Sequence, residues 1–250
     1  LCGWLGEFTT YDSLADGGLR EASRVFPSWV QTDSANQPAD LYMDFVNGRF
    51  WANGRVYPTL ATFQAALGAT TYAEGDWEFP WTDASVSLVL EVLPDSASGL
   101  GRQTTFVSID NGASGRYQKA YLGTVNAIGG RAFWGSNQWY QEATGLVAKY
   151  WPTRFAMTFQ TNNFSLSKDG KTPSTQTSGS DIGAPTTLRV GNNFARTEGL
   201  VDGQIWKIAV FQAPKSSSEI QALANANWPL VGGGDSYMGG AGNVGVQQSI

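Results

Sequence analysis

The sequence predicts an all-β fold, a β-sandwich with one short helix near its C-terminal end and extended arms at both termini. Runs of alternating apolar residues recur along the chain, and Asn-Gly, Asp-Gly or other glycine-rich turns separate them. Only 15% of the residues are charged, against about 25% in an average soluble domain. With 250 residues, the chain is long enough for one large sandwich or two smaller domains.

The first 75 residues are expected to form an N-terminal arm that contains a small β-meander. Residues 1–39 show no sustained period of 2 or 3.6, which indicates an extended arm with short strands. Two Asn-Gly pairs at positions 47–48 and 53–54 give the strongest two-residue hairpin signal. Two tight turns this close together predict a meander over residues 40–57.

Further strands are predicted from residue 76 onward. Residues 85–92 and 104–109 alternate in hydrophobicity, and so do residues 153–159, which return through residues 164–167 to a turn at Asp169-Gly170. The positions expected to face inward are Val86, Leu88, Leu90, Val92, Phe155, Met157 and Phe159.

A short strand over residues 187–191 and a long apolar strand over residues 202–211 follow. Strict alternation would put Trp206, Ile208 and Val210 on one face of the long strand and Ile205, Ala209 and Phe211 on the other. Because both faces are largely apolar, we expect this strand to lie inside a sheet rather than at its edge.

A short helix is predicted directly after the long strand. Ser216 and Glu219 have the spacing of a capping box, in which each side chain binds the backbone N–H of the other residue. The apolar residues Ile220, Leu223 and Ala224 then share one helical face.

The order of these last elements resembles the closing part of the concanavalin A-like lectin/glucanase superfamily, which includes laminin-G-like domains. The pattern covers roughly residues 77–228, from the first carboxylate-rich segment to the capped helix. The resemblance implies a jelly-roll β-sandwich over residues 76–230. Residues 231–250 are rich in glycine and are expected to form a flexible tail.

Residues 41–57 also resemble a segment of bacteriophage virion proteins that often precedes a concanavalin A-like domain, although any pair of Asn-Gly hairpins shares the pattern. The resemblance implies a non-enzymatic structural or adhesion subunit of a virion, in a tail, fibre or head decoration, that forms homo-oligomers. It would present the lectin-like domain to host glycans or to neighbouring subunits. The alternatives are a glycan hydrolase, a carbohydrate-binding module outside a virion, and a cementing protein that binds no glycan.

Composition excludes several classes of function. The chain has no histidine, which removes Ser-His-Asp and Cys-His triads and histidine-bound zinc. A net charge of −5 and the absence of any Lys/Arg run argue against nucleic acid as a partner. No apolar stretch approaches the ~20 residues of a membrane span, so a soluble protein or assembly is expected. A single cysteine, Cys2, excludes an intrachain disulfide.

One carboxylate-rich segment is a candidate catalytic site. Glu74, Asp76 and Glu78 alternate along the chain, so an extended strand would place all three on one face. The pattern resembles the active-site strand of laminarinase-type β-glucanases, which implies Glu74 as nucleophile, Asp76 as modulating carboxylate and Glu78 as acid/base. Because Pro80 follows closely, the favoured interpretation is a polar loop that leads into the next strand.

Aromatic and amide residues form the candidate glycan site, since large rings stack on sugars and amides bind hydroxyl groups. The residues predicted for this role are Trp134, Asn137, Trp139, Tyr140 and Asn192. Packing in the core or at an interface is the alternative for each ring. Calcium is common in laminin-G-like domains, but the turn residues Asp110, Asn111, Asp181 and Asp202 show no defined ligand spacing. We therefore predict neither a metal nor a cofactor.

Overall fold

A computed structural model of the chain describes residues 26–73, 75–94, 104–112, 115–123, 127–142, 152–197 and 203–225. The strands within these ranges are β1 (Leu41–Asp44), β2 (Arg49–Ala52), β3 (Arg55–Tyr57), β4 (Thr70–Ala73), β5 (Asp76–Pro80), β6 (Val86–Pro94), β7 (Thr104–Asp110), β8 (Arg116–Leu122), β9 (Ile128–Trp134), β10 (Ser136–Glu142), β11 (Thr153–Phe159), β12 (Phe164–Lys168), β13 (Ser174–Gln176), β14 (Thr187–Val190) and β15 (Gly203–Phe211). The helices are α1 (Leu60–Leu67) and α2 (Ser217–Ala224).

The strands form two antiparallel sheets that pack face to face. One sheet has eight strands in the order β13-β12-β11-β6-β15-β1-β2-β3, and the other has seven in the order β10-β9-β8-β7-β14-β5-β4. The main apolar core lies between them and includes large rings from both, among them Phe50, Trp77, Phe79, Phe106, Trp139, Phe155, Phe159 and Phe164. The predicted all-β sandwich is therefore confirmed.

The strands predicted from alternation are also confirmed. In β6 and β11 the residues expected to face inward lie in the main core. The turn after β12 has positive φ angles at Asp169 and Gly170, as the Asp-Gly signal indicates. Helix α2 is capped by Ser216 and Glu219 as predicted, and Ile220, Leu223 and Ala224 form its buried side.

The face assignment in β15 is wrong for two residues because the strand contains a β-bulge. The register with β6 shifts between Ile205 and Lys207, so the alternation moves by one residue at that point. Ile205 consequently joins Ile208 in the main core, although strict alternation separated them. Trp206 is displaced from that face and stays half-buried, with its indole N–H donating to Gln204 Oε1 at 3.1 Å.

The meander of β1, β2 and β3 is an integral part of the eight-stranded sheet. Asn53-Gly54 forms the predicted two-residue turn between β2 and β3, whereas β1 and β2 are joined by a four-residue turn over residues 45–48. Strand β1 pairs with β15 on one side and with β2 on the other. The sandwich therefore extends upstream of residue 76. Residues 1–25 of the predicted arm and the predicted tail over residues 231–250 lie outside the described residues.

Residues 26–40 and helix α2 cover the outer face of the eight-stranded sheet, where a second apolar cluster lies. Its buried members are Val30, Ala39, Tyr42, Trp51, Val89, Ala156, Ala209, Phe211, Ile220, Leu223 and Ala224. The Lys215 ammonium donates to Asp33 Oδ2 at 2.5 Å and ties residues 26–40 to the segment before α2. This segment was expected to be an extended arm, but it packs on the sheet because it can bury Val30 and Ala39 there.

Helix α1 is not predicted by the sequence pattern. It has only eight residues and buries one of them, Phe63, in the main core. Its capping box uses two threonines, Thr59 and Thr62, in place of the usual Ser or Thr with Glu. Gly68 ends the helix in the left-handed conformation. No helix in the described part of the chain is long and apolar enough to cross a membrane.

Candidate functional site

The outer face of the seven-stranded sheet carries a group of ion-paired side chains at strands β5, β7 and β14. We call it the carboxylate–arginine cluster, and its members are Asp76, Glu78, Asp110, Arg189 and Arg196. Three carboxylates thus meet two guanidinium groups. The ring of Tyr72, on β4, lies at the edge of the cluster and is 47% exposed.

Strand β5 places two of the carboxylates on this face. Trp77 and Phe79 are buried in the main core, so the alternating positions Asp76 and Glu78 face outward. The interpretation of this segment as a polar loop is wrong, because two large rings anchor it as a strand. Glu74 lies outside the described residues.

Both carboxylate oxygens of Glu78 are bound. Its Oε2 atom contacts Nη1 of Arg189 and accepts from Nη2 of Arg196 at 2.8 Å. Its Oε1 atom accepts from the hydroxyl of Tyr72 at 2.6 Å. Charge-assisted hydrogen bonds of this kind hold the carboxylate in one orientation.

Arg189 and Asp110 form the buried end of the cluster. Arg189 Nε donates to Asp110 Oδ2 at 2.7 Å, and the backbone N–H of Gly112 donates to Oδ1 at 2.9 Å. Burial raises the pKa of Asp110 to about 6 and lowers the pKa of Arg189. The hydrogen bond from Gly112 and the positive charge of Arg196 oppose the rise in the pKa of Asp110. A carboxyl with a pKa near 6 is still mostly ionised at pH 7, so the pair is an ion pair there.

Arg196 reaches the cluster from the loop that follows β14. The loop is held by Asn193, whose side chain accepts from the Thr197 N–H at 2.9 Å and donates to the Thr197 hydroxyl at 3.1 Å. Arg196 itself has a φ of 52°, in the left-handed region that non-glycine residues seldom adopt. Its guanidinium carbon lies 3.3 Å from the centroid of the Tyr72 ring, within cation–π range.

Asn192 connects the loop to β5. Its amide donates to Asp76 Oδ2 at 3.2 Å, and Arg196 Nε lies 3.6 Å from the same oxygen. The structure therefore brings together Asp76, Glu78 and Asn192, which the sequence assigned to two separate candidate sites. The combination of an exposed ring with fixed amide, carboxylate and guanidinium groups can stack on a sugar and bind its hydroxyl groups.

The other predicted glycan-binding residues lie away from this cluster, on the β9–β10 hairpin. Trp134 is 41% exposed at the end of β9, with the guanidinium of Arg116 at 4.2 Å from its ring. Trp139 is 1% exposed and stacks on Phe164 in the main core, so its ring has no face open to a ligand. Asn137 and Tyr140 lie on β10. Gly135 supplies the left-handed turn residue of this hairpin.

Four members of the site were missed by the sequence analysis: Tyr72, Asp110 as an ion-pair partner, Arg189 and Arg196. Alternation along β14 places Arg189 on the face that is opposite to the buried Leu188 and Val190. The sequence therefore does indicate that Arg189 faces outward. Nothing in the sequence connects Arg196 to Tyr72, because they are far apart in the chain. Among the described residues, no group of three or more Cys, Asp or Glu side chains is arranged to hold a metal ion.

No protein-family model matches the sequence, and no curated protein matches it. Among solved structures, the chain is similar to domain 4 of AbnA, a GH43 extracellular arabinanase from Geobacillus stearothermophilus, in complex with arabinotriose. The TM-score is 0.52 at 12% identity, over 75% of this chain and 98% of that domain. The likeness agrees with the predicted fold class, a jelly-roll β-sandwich.

Two other similar structures have lower TM-scores. The Ruminococcus gnavus IT-sialidase CBM40 bound to α2,3-sialyllactose gives 0.46 at 13% identity, over 63% of this chain and 96% of that one. Domains LG4-5 of the mouse laminin α1 chain give 0.46 at 11% identity, over 60% of this chain and 43% of that one.

Proposed function

We propose that this chain is a non-catalytic, lectin-like glycan-binding protein and that its ligand contacts the outer face of the seven-stranded sheet at Tyr72. The observation that carries the proposal is an exposed aromatic ring beside polar groups that are already fixed by ion pairs. Such groups lose little conformational freedom when they bind, so more of the contact energy remains as affinity. The arabinanase domain with the same fold is in complex with arabinotriose, which supports a sugar ligand.

The same contacts favour binding over catalysis. A retaining glycosidase needs one carboxylic acid that donates a proton and a second carboxylate that attacks the sugar. Glu78 binds two guanidinium groups, and Asp76 binds Asn192 and lies beside Arg196. Both carboxylates are thus occupied by partners within the protein, and the chain has no histidine to act as a general acid.

We further propose that the domain belongs to a bacteriophage virion subunit that forms homo-oligomers and contacts neighbouring subunits. The resemblance of residues 41–57 to virion proteins supports this, and these residues form the β1–β3 meander. Counting copies of the chain in purified particles tests it. Absence from the particles would contradict the virion proposal and leave the glycan-binding proposal intact.

The glycan-binding proposal is tested with the full chain on a glycan array, with calcium and with a chelator, together with an assay for released reducing sugar. We expect binding without cleavage. A glycan hydrolase is the alternative, and a Glu78→Gln variant that loses a sugar-releasing activity of the wild type would support it. If no glycan binds, a cementing role is favoured, and deletion of residues 231–250 would then prevent incorporation into particles.

A further inference from the structure

A cavity of about 240 Å³ opens between the two sheets at the edge formed by β10, β12 and β13. The residues that line it are Gln141, Leu166, Lys168, Lys171, Thr172, Pro173 and Ser174. It lies far from the carboxylate–arginine cluster in the fold, since β9, β8 and β7 separate β10 from β14 in the seven-stranded sheet.

A tight turn brings two lysines to this cavity. Lys168 and Lys171 flank the turn at Asp169 and Gly170, and the Lys171 N–H donates to the Lys168 carbonyl at 3.0 Å. The hydroxyl of Ser167 also donates to the Lys171 carbonyl at 2.6 Å. These hydrogen bonds fix the backbone from which both lysines extend at the cavity, independently of any ligand.

The cavity lining combines apolar, polar and cationic residues. Leu166 belongs to the main core and Pro173 adds a second apolar surface, while Gln141, Thr172 and Ser174 supply amide and hydroxyl groups. Lys168 is 7% exposed, and its ammonium pairs with Asp169 Oδ2 at 3.2 Å. That partner carboxylate is 42% exposed. Two lysines against one aspartate leave a net charge of +1, in a chain whose net charge is −5.

We propose that this cavity is a second ligand site and that it binds an acidic sugar of about one ring, a hexuronate. Its volume is below the roughly 300–1,000 Å³ of drug-sized ligand sites, which limits the occupant to a small molecule. The sugar carboxylate would pair with the ammonium groups of Lys168 and Lys171, in partial competition with Asp169. The ring would lie against Leu166 and Pro173, and its hydroxyl groups would bind Gln141, Thr172 and Ser174.

The proposal does not depend on the function assigned to the carboxylate–arginine cluster. That cluster has one more carboxylate than guanidinium groups, so its charge is opposite to that of the cavity. A variant in the cavity should leave glycan binding at Tyr72 unchanged. A variant that loses glucuronate binding but keeps glycan binding at Tyr72, or the reverse, would therefore show which of the two sites it affects.

The test is calorimetric titration of the full chain with glucuronate, glucose and acetate as separate probes. We expect glucuronate to bind at least about tenfold more tightly than either of the others, because only glucuronate has both a ring and a carboxylate. If acetate binds as tightly as glucuronate, the proposal is overturned, because the cavity then recognises only the carboxylate charge. Glucose binding as tightly would overturn it by showing that the lysines take no part.

A pair of charge reversals locates the site. Lys171→Glu should weaken glucuronate binding at least about tenfold, and Lys171 is exposed, so the fold should survive the change. Arg55→Glu is the matched control, because it makes the same change in net charge at β3, the opposite edge of the eight-stranded sheet. Equal losses in the two variants would contradict the proposal, since they would show a general effect of charge.

Discussion

The central guanidinium carbon of Arg196 lies 3.3 Å from the centroid of the Tyr72 ring, and the same guanidinium binds Glu78. One side chain thus connects the exposed ring to the ion pairs beneath it. Because Arg196 is partly exposed, these contacts should contribute little to the free energy of unfolding. Their main effect should be to hold the side chains of Tyr72 and Glu78 in place.

Replacement of Arg196 by Ala should therefore separate stability from binding. We expect the free energy of unfolding to fall by no more than about 1 kcal/mol, as for other solvent-exposed ion pairs. The free energy of glycan binding should weaken by more than the free energy of unfolding does, because Tyr72 and Glu78 lose the group that orients them. Chemical denaturation and glycan titration measure the two quantities. Unchanged affinity would show that Arg196 has no part in the site.

The buried end of the cluster should behave differently. Asp110→Ala removes a fully buried carboxylate and leaves Arg189 with Glu78 as its remaining acidic partner. Breaking a buried ion pair typically costs about 3–5 kcal/mol, and we expect a loss near the lower end, about 3 kcal/mol. Urea denaturation measures it. A loss equal to that of Arg196→Ala would contradict the assignment of Asp110 as the buried anchor.

Two glycines in β9, Gly129 and Gly130, lie against large aromatic rings. A Cβ atom at Gly130 would overlap the indole ring of Trp139, and one at Gly129 would overlap the ring of Tyr121. Gly130→Ala should cost about 1–3 kcal/mol, because the core must shift to make room. Gly115→Ala is the control, since a Cβ atom added there would have no neighbour within 4 Å. Thermal unfolding compares the two, and equal melting temperatures would contradict the packing of Trp139.

The capping box of α2 predicts a dependence of stability on pH. Hydrogen bonds from the Ser216 N–H and hydroxyl lower the pKa of Glu219 below its ordinary value of 4.5. The ionised carboxylate therefore adds stability above about pH 4.5, and this contribution is lost as the pH falls through the lowered pKa. Glu219→Gln should be less stable than the wild type at pH 7, and the difference should shrink at pH 3.

The other half of the capping box is the Ser216 side chain. Ser216→Ala should lower the free energy of unfolding by about 1 kcal/mol at pH 7.

Most of the sandwich follows from the sequence because alternation and turn residues act locally. The strand faces of β6 and β11 and the Asn53-Gly54 turn were predicted correctly for that reason. The bulge in β15 was not predicted, because Ile205 and Trp206 are both apolar and nothing local marks which of them faces inward.

The candidate site was predicted less completely, since it depends on contacts between distant parts of the chain. Outward alternation identified Asp76 and Glu78, but their guanidinium partners come from β14 and from the loop after it. Trp139 was assigned to a glycan site because its type suits a sugar. The diglycine of β9 instead lets its ring enter the core, beside Gly130.

We propose that Tyr72, rather than Trp134, forms the platform for a glycan, and a comparison of their alanine variants on the glycans that the wild type binds decides between the two rings. Both rings are exposed to a similar extent and each is covered on one side by an arginine, so the two changes are closely matched. We predict that Tyr72→Ala weakens binding about tenfold, or about 1.4 kcal/mol, and that Trp134→Ala has little effect. Loss of binding in Trp134→Ala with full binding in Tyr72→Ala would contradict the claim.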